Sequence, residues 1–470
     1  MQNEPSHARN FKRSADAEQY YTKEINKSLR LTTPIKTING EQLNSCFSVS
    51  QLASSCIGAV GSAIADLIQV VGLSQGVPNV AVNQRLASLW FNRSIYPVNW
   101  ELPPIWDTIA GDYQACDGWV KLHTNLPHHK DAALRVLGVK ECRRAVAAAV
   151  LSWDSTELES EIVKEGGVAA AMRSKQEWAC HPQGLALASE PLINWGEYRP
   201  ATMNFLPVSS VQPLKGLRVL DLTRVLAGPV ATRTLAGFGA EVLRIDPPNW
   251  DEPFVVPDIT LGKRCATLDL ERTEDRLKFE TLIERADVLI HGYRPAALER
   301  LGYGRMARLK RWPNLIDVSL NAYGWSGPWA GRRGFDSLVQ MSNGIANAGM
   351  NWSKSAKPTP LPVQALDHAS GYLMAATVIS IIKNVLVNGE LANARLSLAR
   401  TAELMVKNSQ PVLSAFDFEP APREFSIQPE STPWGLANRL SPALNVQGSP
   451  MQWSRAANNL GSSSARWLDT

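Results

Sequence analysis

The pattern of hydrophobic and polar residues becomes regular after residue 214. From there, five short apolar runs alternate with helical stretches, and the runs read RVLDLT, EVLRID, CATLDL, DVLIHG and NLIDVSL. Short apolar runs are typical of buried strands, and their alternation with helices predicts a largely parallel, doubly wound sheet. Ligands of such sheets bind at the carboxyl ends of the strands. We therefore expect functional residues in the loops that follow these runs.

The first half of the chain has a different pattern. It contains an Ala/Gly/Ser-rich helical stretch at residues 49–73, a strand-like run DGWVKLHT at residues 117–124, and helical segments at residues 132–137 and 143–153. This mixture predicts a smaller α+β domain beside a larger, Rossmann-like α/β domain.

These patterns divide the chain into five parts, with a Pro- and Ser-containing linker before the regular half. We expect a flexible N-terminal tail at residues 1–40, a first unit at residues 41–200, a linker at residues 201–213, a large domain at residues 214–405 and a Pro/Trp-rich C-terminal segment at residues 406–470.

One sequence pattern occurs twice. The segment DHASGYLMAA, which starts at Asp367, resembles QLASSCIGA, which starts at Gln51, and each is followed after a similar gap by a second matching run. Two helices of one design are therefore expected to occur twice, and only the second copy begins with a carboxylate. A match this short can also arise by chance.

Composition narrows the class of protein. The formal net charge is +4 over 470 residues and the Lys and Arg residues are scattered, so we expect no nucleic-acid partner. The apolar stretch at residues 57–73 is interrupted by Gly58 and Asp66, which predicts no membrane span. The six cysteines lie far apart, without a CxxC pair or a suitably spaced His. This predicts no metal site and a reducing compartment, the cytoplasm. The first 30 residues lack the apolar core of a secretory signal.

Two common catalytic motifs are missing. The glycines Gly228, Gly237 and Gly239 do not have the G-x-G-x-x-G spacing of a dinucleotide site. Ser337 and Ser370 lie outside a G-x-S-x-G context. We therefore expect neither NAD-dependent chemistry nor serine hydrolysis.

Five ordered blocks between residues 214 and 405 carry a more specific signal. They read LKGLRVLDLTRVLAGPVATRTLAGFGAEVLRIDPP, LGKRCATLDL, ADVLIHGYRPAALERLGYG, GFDSLVQMSNGIA and ALDHASGYLMAATV. Together they resemble the family III CoA-transferases, the CaiB/BaiF family. The DGWVKLHT strand and the later EGGVAAAMRSKQEWACHPQG run resemble the small domain of that family. Residues 41–200 would then be a partial, degenerate second copy that precedes the large domain.

The resemblance implies what this protein would do. It implies an enzyme that moves CoA between an acyl-CoA thioester and a small carboxylic acid, through an aspartyl anhydride and an aspartyl thioester. CoA enters as part of the substrate, no cofactor is tightly bound, and the assembly is a homodimer.

Asp367 occupies the position of the nucleophilic aspartate of the family. From the residues alone, a carboxylate near a helix N-terminus is expected to stay ionised, because the helix dipole and free amides favour its charge, and an ionised carboxylate can attack a thioester. Nearby N–H groups would stabilise the oxyanion. The alternative is that Asp367 only caps its helix. The neighbouring His368 is expected to be structural or solvent-facing.

CoA carries phosphates and an adenine, so its site needs cations, helix N-termini and an apolar wall. The resemblance assigns eight residues to this site, each of which could instead be a surface cation or a core side chain. They are Arg224, Leu226, Lys263, Arg264, Tyr293, Arg300, Leu301 and Arg333.

Two other functions stay open. The same family fold serves α-methylacyl-CoA racemases, which need a base on each face of the α-carbon, but the position of the racemase His is Phe335, followed by Asp336. The chain could also be a degenerate homologue that binds CoA thioesters without turnover. The first copy has Gln51 in place of the nucleophile and is expected to be catalytically silent.

Overall fold

The structure is a computed structural model that describes residues 6–408 and 410–468, with side chains described from residue 15 onward except at 295 and 296. The helices are α1 (Ser6–Leu29), α2 (Val49–Val70), α3 (Gln84–Trp90), α4 (Pro127–Leu137), α5 (Arg143–Val150), α6 (Ser155–Lys164), α7 (Lys175–Cys180), α8 (Pro182–Ala188), α9 (Ala227–Gly237), α10 (Val256–Ile259), α11 (Thr273–Glu284), α12 (Pro295–Arg300), α13 (Arg305–Arg311), α14 (Asp336–Ser342), α15 (Ile345–Ser353), α16 (Ala365–Asn388) and α17 (Leu398–Lys407).

The strands are short, and six of them correspond to runs predicted from the sequence. They are β1 (Ile35–Ile38), β2 (Val80–Asn83), β3 (Ile95–Pro97), β4 (Gly111–Gln114), β5 (Trp119–Leu122), β6 (Ala169–Ala171), β7 (Asn194–Trp195), β8 (Arg199–Pro200), β9 (Arg218–Leu222), β10 (Glu241–Asp246), β11 (Lys263–Thr267), β12 (Val288–His291), β13 (Ile316–Asn321), β14 (Glu390–Leu391), β15 (Ala394–Ser397), β16 (Glu430–Thr432), β17 (Gly435–Arg439) and β18 (Leu444–Val446).

A seven-stranded sheet forms the centre of the second half. Its order is β11-β10-β9-β12-β13-β15-β7, and every pair is parallel except β15 with β7. Successive residues of β9 point to opposite faces: Val219 belongs to a hydrophobic cluster with α9 and α16, and Leu220 to a cluster with α11. The α/β class and the largely parallel sheet are therefore confirmed.

The N-terminal region differs from the predicted flexible tail. Residues 6–29 form α1, and Ala17, Tyr21, Ile25 and Leu29 are at most 2% exposed. A spacing of four residues places these side chains on one face of a helix, and this face packs against α2. The Tyr21 hydroxyl also donates to the backbone oxygen of Met405, at 3.4 Å. The four apolar residues recur at helical spacing in the sequence, but charged and polar residues of the opposite face lie between them.

The two similar sequence segments form a pair of like helices, α2 and α16, that pack against each other. The residues before them have nearly the same backbone, with φ −79° and ψ 64° at Ser48 and φ −75° and ψ 63° at Gln364. Each helix is followed by a strand and a short helix, capped by Asn83 in the first copy and Ser397 in the second. Both α2 and α16 are long and apolar enough to span a membrane, but their apolar windows are 89% and 78% buried within the protein.

The remaining elements join the first half to the second. A small sheet, β4-β5-β6, packs with α4, α5 and α6 around its own hydrophobic cluster. The C-terminal segment adds β18 beside β2 and β17 beside β3, so it pairs with the first unit. Residues 201–213 form no helix or strand and expose Leu206, Val208 and Val211.

Candidate active site

The site lies where the sheet topology places it. The loops after β9, β10 and β12 carry Arg224, Trp250, Tyr293 and Arg294, and these loops meet at the carboxyl edge of the parallel sheet. Together with Arg333, these side chains line a cavity of about 370 Å³, called here the cation-lined cavity. Ligand-binding residues were expected in these loops.

Aromatic rings hold Arg224 in place. Its guanidinium lies 4.3 Å from the centre of the Trp250 ring and 4.8 Å from that of Tyr293, and it donates to the Tyr293 hydroxyl at 2.5 Å. Contacts with the two rings leave the other N–H groups of the guanidinium available to a ligand, because they use the faces of the group and not its edges. The arrangement provides a cation and a flat apolar wall side by side.

Two further arginines, Arg294 and Arg333, add positive charge to the cavity lining. Burial, followed by repulsion from Arg294 and Arg300, lowers the pKa of Arg333. Arg300 itself lies outside the cavity lining. Arg333 also donates to the backbone oxygen of Gly166 at 2.6 Å, a hydrogen bond to the first unit. A polyanion in this cavity would relieve the repulsion.

Asp367 is the third residue of α16 and lines the cation-lined cavity and a second cavity behind it. Its side chain is 9% exposed and forms no hydrogen bond or ion pair among residues 6–408 and 410–468. Burial first, and the nearby Asp336 carboxylate second, raise the pKa of Asp367 well above the usual range of an aspartate. Burial also raises the pKa of Asp336.

The expected source of Asp367's charge stabilisation is therefore wrong. Oδ2 of Asp336 accepts the backbone N–H groups of Leu366 at 2.8 Å and of Asp367 at 3.0 Å, and Gln340 donates to Oδ1. The N–H of Ala365 donates to Val363. Since these amides are occupied, they neither stabilise the Asp367 carboxylate nor supply an oxyanion site. Asp336, and not Asp367, caps the helix.

The second cavity, called here the apolar cavity, has a volume of about 350 Å³. Its walls come mainly from the first unit and from the loop before α10. The apolar residues are Leu102, Pro103, Pro104, Ile105, Trp106 and Phe254. Leu126, Val225, Leu226, Phe335 and Asp367 line both cavities. Asp367 thus stands at the junction of a polar and an apolar compartment.

A strained backbone lies at this junction. Val225 has φ +64°, a left-handed conformation that a β-branched residue rarely adopts. Its N–H donates to Oε2 of Glu252 at 2.8 Å, and Oε1 of Glu252 accepts from Arg244 at 2.5 Å. The buried Arg244 also pairs with Asp246 at 2.8 Å. This ion network holds the loop before α9 in its strained form.

The structure brings Arg224, Leu226, Tyr293, Arg333 and Asp367 together around the two cavities. Four other predicted residues lie outside both cavity linings: Lys263, Arg264, Arg300 and Leu301.

Lys263 is fully buried and pairs with Asp221 at 3.0 Å. Arg264 donates to the backbone oxygen of Ser464 at 3.0 Å. Both are at the start of β11 and pair with Val242 and Leu243 at the start of the parallel strand β10, so their backbones lie toward the amino edge of the sheet and neither residue lines a cavity. Leu301 packs in the hydrophobic cluster around α11.

Several lining residues were missed by sequence reasoning. Arg294 and Trp250 follow strands and could have been found by the rule that loops at the carboxyl edge bind ligands. Arg93, His123 and His129 come from the first unit, and no local motif marks them. Burial lowers the pKa of His123 and of His129 to about 3, so both imidazoles are neutral at physiological pH.

Three further positions were considered in the sequence analysis: Gln51 as the counterpart of the nucleophile, His368 as its neighbour and Phe335 at the position of the racemase His. The side chain of Gln51 is buried in α2, outside both cavity linings. His368 is buried and stacks on Phe91, with ring centres 5.2 Å apart. Phe335 stacks on His123 at 4.0 Å.

Comparison with known proteins shows which sequences and structures this chain resembles. Residues 214–433 match the family model described as CoA-transferase family III. An acyl-CoA transferase of Gibberella moniliformis is 30% identical over 297 residues, which cover 58% of this chain and 52% of that protein. A probable fatty acyl-CoA transferase of Mycobacterium tuberculosis is 33% identical over 199 residues, 39% of this chain and 50% of that protein. A crystal structure of the latter is 32% identical, covers 43% of this chain and 55% of its own, and has a TM-score of 0.38.

The fold and the site define an α/β protein with an electropositive ligand cavity. Residues 214–433 are a CoA-transferase family III region, which confirms the resemblance seen in the sequence. The chain spans about half the length of the first two curated relatives.

Proposed function

We propose that this protein transfers CoA between an acyl-CoA thioester and a carboxylic acid, with Asp367 as the nucleophile. The observation that carries this proposal is the unpaired Asp367 carboxylate at the junction of the cation-lined and apolar cavities. The first cavity suits the phosphates and adenine of CoA, and the second suits an acyl group. The thioester carbonyl of a substrate that fills both would lie at the junction.

The reaction then proceeds through exchanges at three carbonyl carbons, those of the donor, of Asp367 and of the acceptor. Asp367 attacks the thioester carbonyl, the C–S bond breaks, and CoA leaves as a thiolate. The thiolate attacks the aspartyl carbonyl of the resulting anhydride, which releases the donor acid and leaves an aspartyl-CoA thioester. The acceptor carboxylate attacks that thioester and expels the thiolate again. Attack of the thiolate on the acceptor carbonyl forms the new acyl-CoA and frees Asp367.

These steps require an ionised nucleophile and donors for the oxyanions. A phosphate-rich ligand would use the arginines of the cation-lined cavity for binding and orientation. The first turn of α9, at Leu226, Ala227 and Gly228, lines that cavity and has no side-chain cap. Its backbone N–H groups are therefore our candidates for the oxyanion donors, in place of the occupied amides of α16.

The racemase alternative is not favoured. Phe335 has no titratable group, and both oxygens of Asp336 already accept hydrogen bonds. A racemase would exchange the α-hydrogen of its acyl group with solvent. Incubation with an acyl-CoA in D₂O, read by mass spectrometry, should give CoA transfer without deuterium in the product. Deuterium incorporation without CoA transfer would favour the racemase.

Two further expectations remain proposals. We propose a homodimer, which light scattering after size-exclusion chromatography would detect as twice the chain mass. We also propose the cytoplasm as the compartment, which fluorescence microscopy of the tagged chain would test.

A further inference from the structure

The apolar cavity contains more carboxylates than cations, but most of them are already paired. Glu252 binds Arg244, and Asp258 accepts from the buried Arg233 at 2.7 Å. Arg439 also pairs with Asp258, at 3.2 Å.

Asp336 accepts two backbone amides. Within the described part of the chain, Asp336, Asp367 and Arg93 of this lining have no ion pair, and of the two carboxylates only Asp336 is compensated by amide donors.

Arg93 lines this cavity and also contacts the ring of Tyr96, which lies outside the lining. Its guanidinium lies 4.4 Å from the centre of the Tyr96 ring, and Tyr96 is 8% exposed. Nε of Arg93 is buried without a hydrogen-bond partner, and the side chain has no ion pair within the described part of the chain. A buried donor without a partner is unfavourable, since it has lost water and gained nothing in exchange.

Hydrogen bonds on both sides fix the backbone at Arg93. The N–H of Arg93 donates to the backbone oxygen of Leu89 at 3.0 Å, at the end of α3. The next residue, Ser94, is bound through its N–H and its hydroxyl to Asp258. Arg93 therefore extends from an anchored backbone of the first unit and lines a cavity that Asp367, the proposed nucleophile, also lines.

We propose that Arg93 is a specificity-determining residue that binds a second carboxylate, carried by the acyl group or the acid that occupies the apolar cavity. A guanidinium binds a carboxylate through two parallel N–H groups, which gives both affinity and orientation. One carboxyl group of the substrate then reacts at Asp367 while the other binds Arg93. The preferred substrates are dicarboxylic acids and their CoA thioesters. This inference rests on the proposed function, because it assigns the apolar cavity to the acyl group.

Succinyl-CoA and butyryl-CoA test the inference, because their four-carbon acyl groups differ in a terminal carboxylate or methyl. The wild-type enzyme should have the higher kcat/KM for succinyl-CoA. Arg93→Gln should lower that value on the order of 10- to 100-fold and change the value for butyryl-CoA by less than about 3-fold. Arg93→Lys, which keeps the charge but not the fork, should be intermediate. Arg272→Gln, at a side chain 67% exposed just before α11, is the matched control and should change neither value. A wild-type preference for butyryl-CoA, or an equal loss with both substrates, would overturn the proposal.

A binding measurement separates this inference from the proposed function. Hydroxylamine trapping at Asp367 reports CoA transfer with any acyl-CoA, whereas succinate binding reports Arg93 even in a protein without turnover. Succinate should raise the melting temperature of the wild-type protein and should not raise that of Arg93→Gln, with butyrate as the control ligand. Equal shifts in both proteins, or none in the wild type, would overturn the role of Arg93 and leave the nucleophile assignment intact.

Discussion

Burial and, second to it, the Asp336 carboxylate raise the pKa of Asp367. This carboxylate also occupies the amides that would otherwise stabilise a negative charge at the start of α16. A nucleophile with a raised pKa is protonated at a pH where an ordinary aspartate is ionised. The rate of the transfer should therefore rise with pH as Asp367 loses its proton.

Asp336→Asn should move this rising limb of kcat/KM toward lower pH. The amide oxygen of Asn can still accept the two backbone N–H groups, but the negative charge that raises the pKa of Asp367 is gone. We expect a several-fold gain in relative rate on the acid side of the wild-type profile. Glu165→Gln, at an exposed carboxylate that pairs with Arg135, is the control and should leave the profile unchanged. An unchanged profile for Asp336→Asn would show that Asp336 does not set the pKa of Asp367.

At this scale the sequence allows part of the site to be predicted. Asp367, Arg224, Tyr293 and Arg333 were found because they stand in or beside recognisable blocks at the carboxyl edge of the sheet. The capping role of Asp336 was not found, because its bonds to α16 cross 30 and 31 residues and depend on tertiary packing. Arg93 was missed for the same reason.

Close contact between α9 and α16 positions the nucleophile relative to the loop after β9. A Cβ atom at Gly371 would lie 2.4 Å from the backbone oxygen of Ala227 and 2.8 Å from Cβ of Val230. Only a glycine permits this approach. The start of α9 and Asp367, one turn before Gly371, both line the cation-lined cavity.

Gly371→Ala should push α16 away from α9 and misplace Asp367. We expect a loss of about 1–3 kcal/mol in the free energy of unfolding and a fall in kcat that exceeds the change in KM. Gly76→Ala is the control, because Gly76 has no atom within 4 Å of the added Cβ and an ordinary φ. Urea denaturation and steady-state kinetics measure both effects. A stable and fully active Gly371→Ala enzyme would show that this helix contact does not position the nucleophile.

The elements themselves were the most predictable feature. Five of the six parallel strands of the sheet, and helices α9, α11, α12 and α16, were predicted because each has a recognisable local pattern. α1 was missed because its stripe of Ala17, Tyr21, Ile25 and Leu29 is polar in between and gains its stability from α2. The repeat in sequence predicted that α2 and α16 are helices of one design, but it did not predict that they contact each other.

The first unit and the large domain share one hydrophobic cluster. It joins α1, α2 and α3 to α9, α16 and the central sheet, and β18 of the C-terminal segment belongs to it as well. The first unit therefore contributes to the hydrophobic core that supports Asp367, although its Gln51 lies outside the cavity linings. A shared core of this kind should unfold as one unit.

Cleavage in the linker tests this unity. A specific protease site placed near Val208, which is 73% exposed, would cut the chain between the two halves. The fragments should stay together through gel filtration and unfold in a single thermal transition, because the cut removes no buried contact. The uncut variant is the control. Separation of the fragments under native conditions would show that the two halves are independent domains.

The most direct test of the account is the trapping of an activated Asp367. The protein would be incubated with a panel of acyl-CoAs and then with hydroxylamine, and its peptides analysed by mass spectrometry. We predict a hydroxamate at Asp367 with at least one acyl-CoA, and none in Asp367→Asn. A protein that binds CoA but gives no adduct at Asp367 across the panel, or an active Asp367→Asn enzyme, would contradict the assignment of Asp367 as the nucleophile.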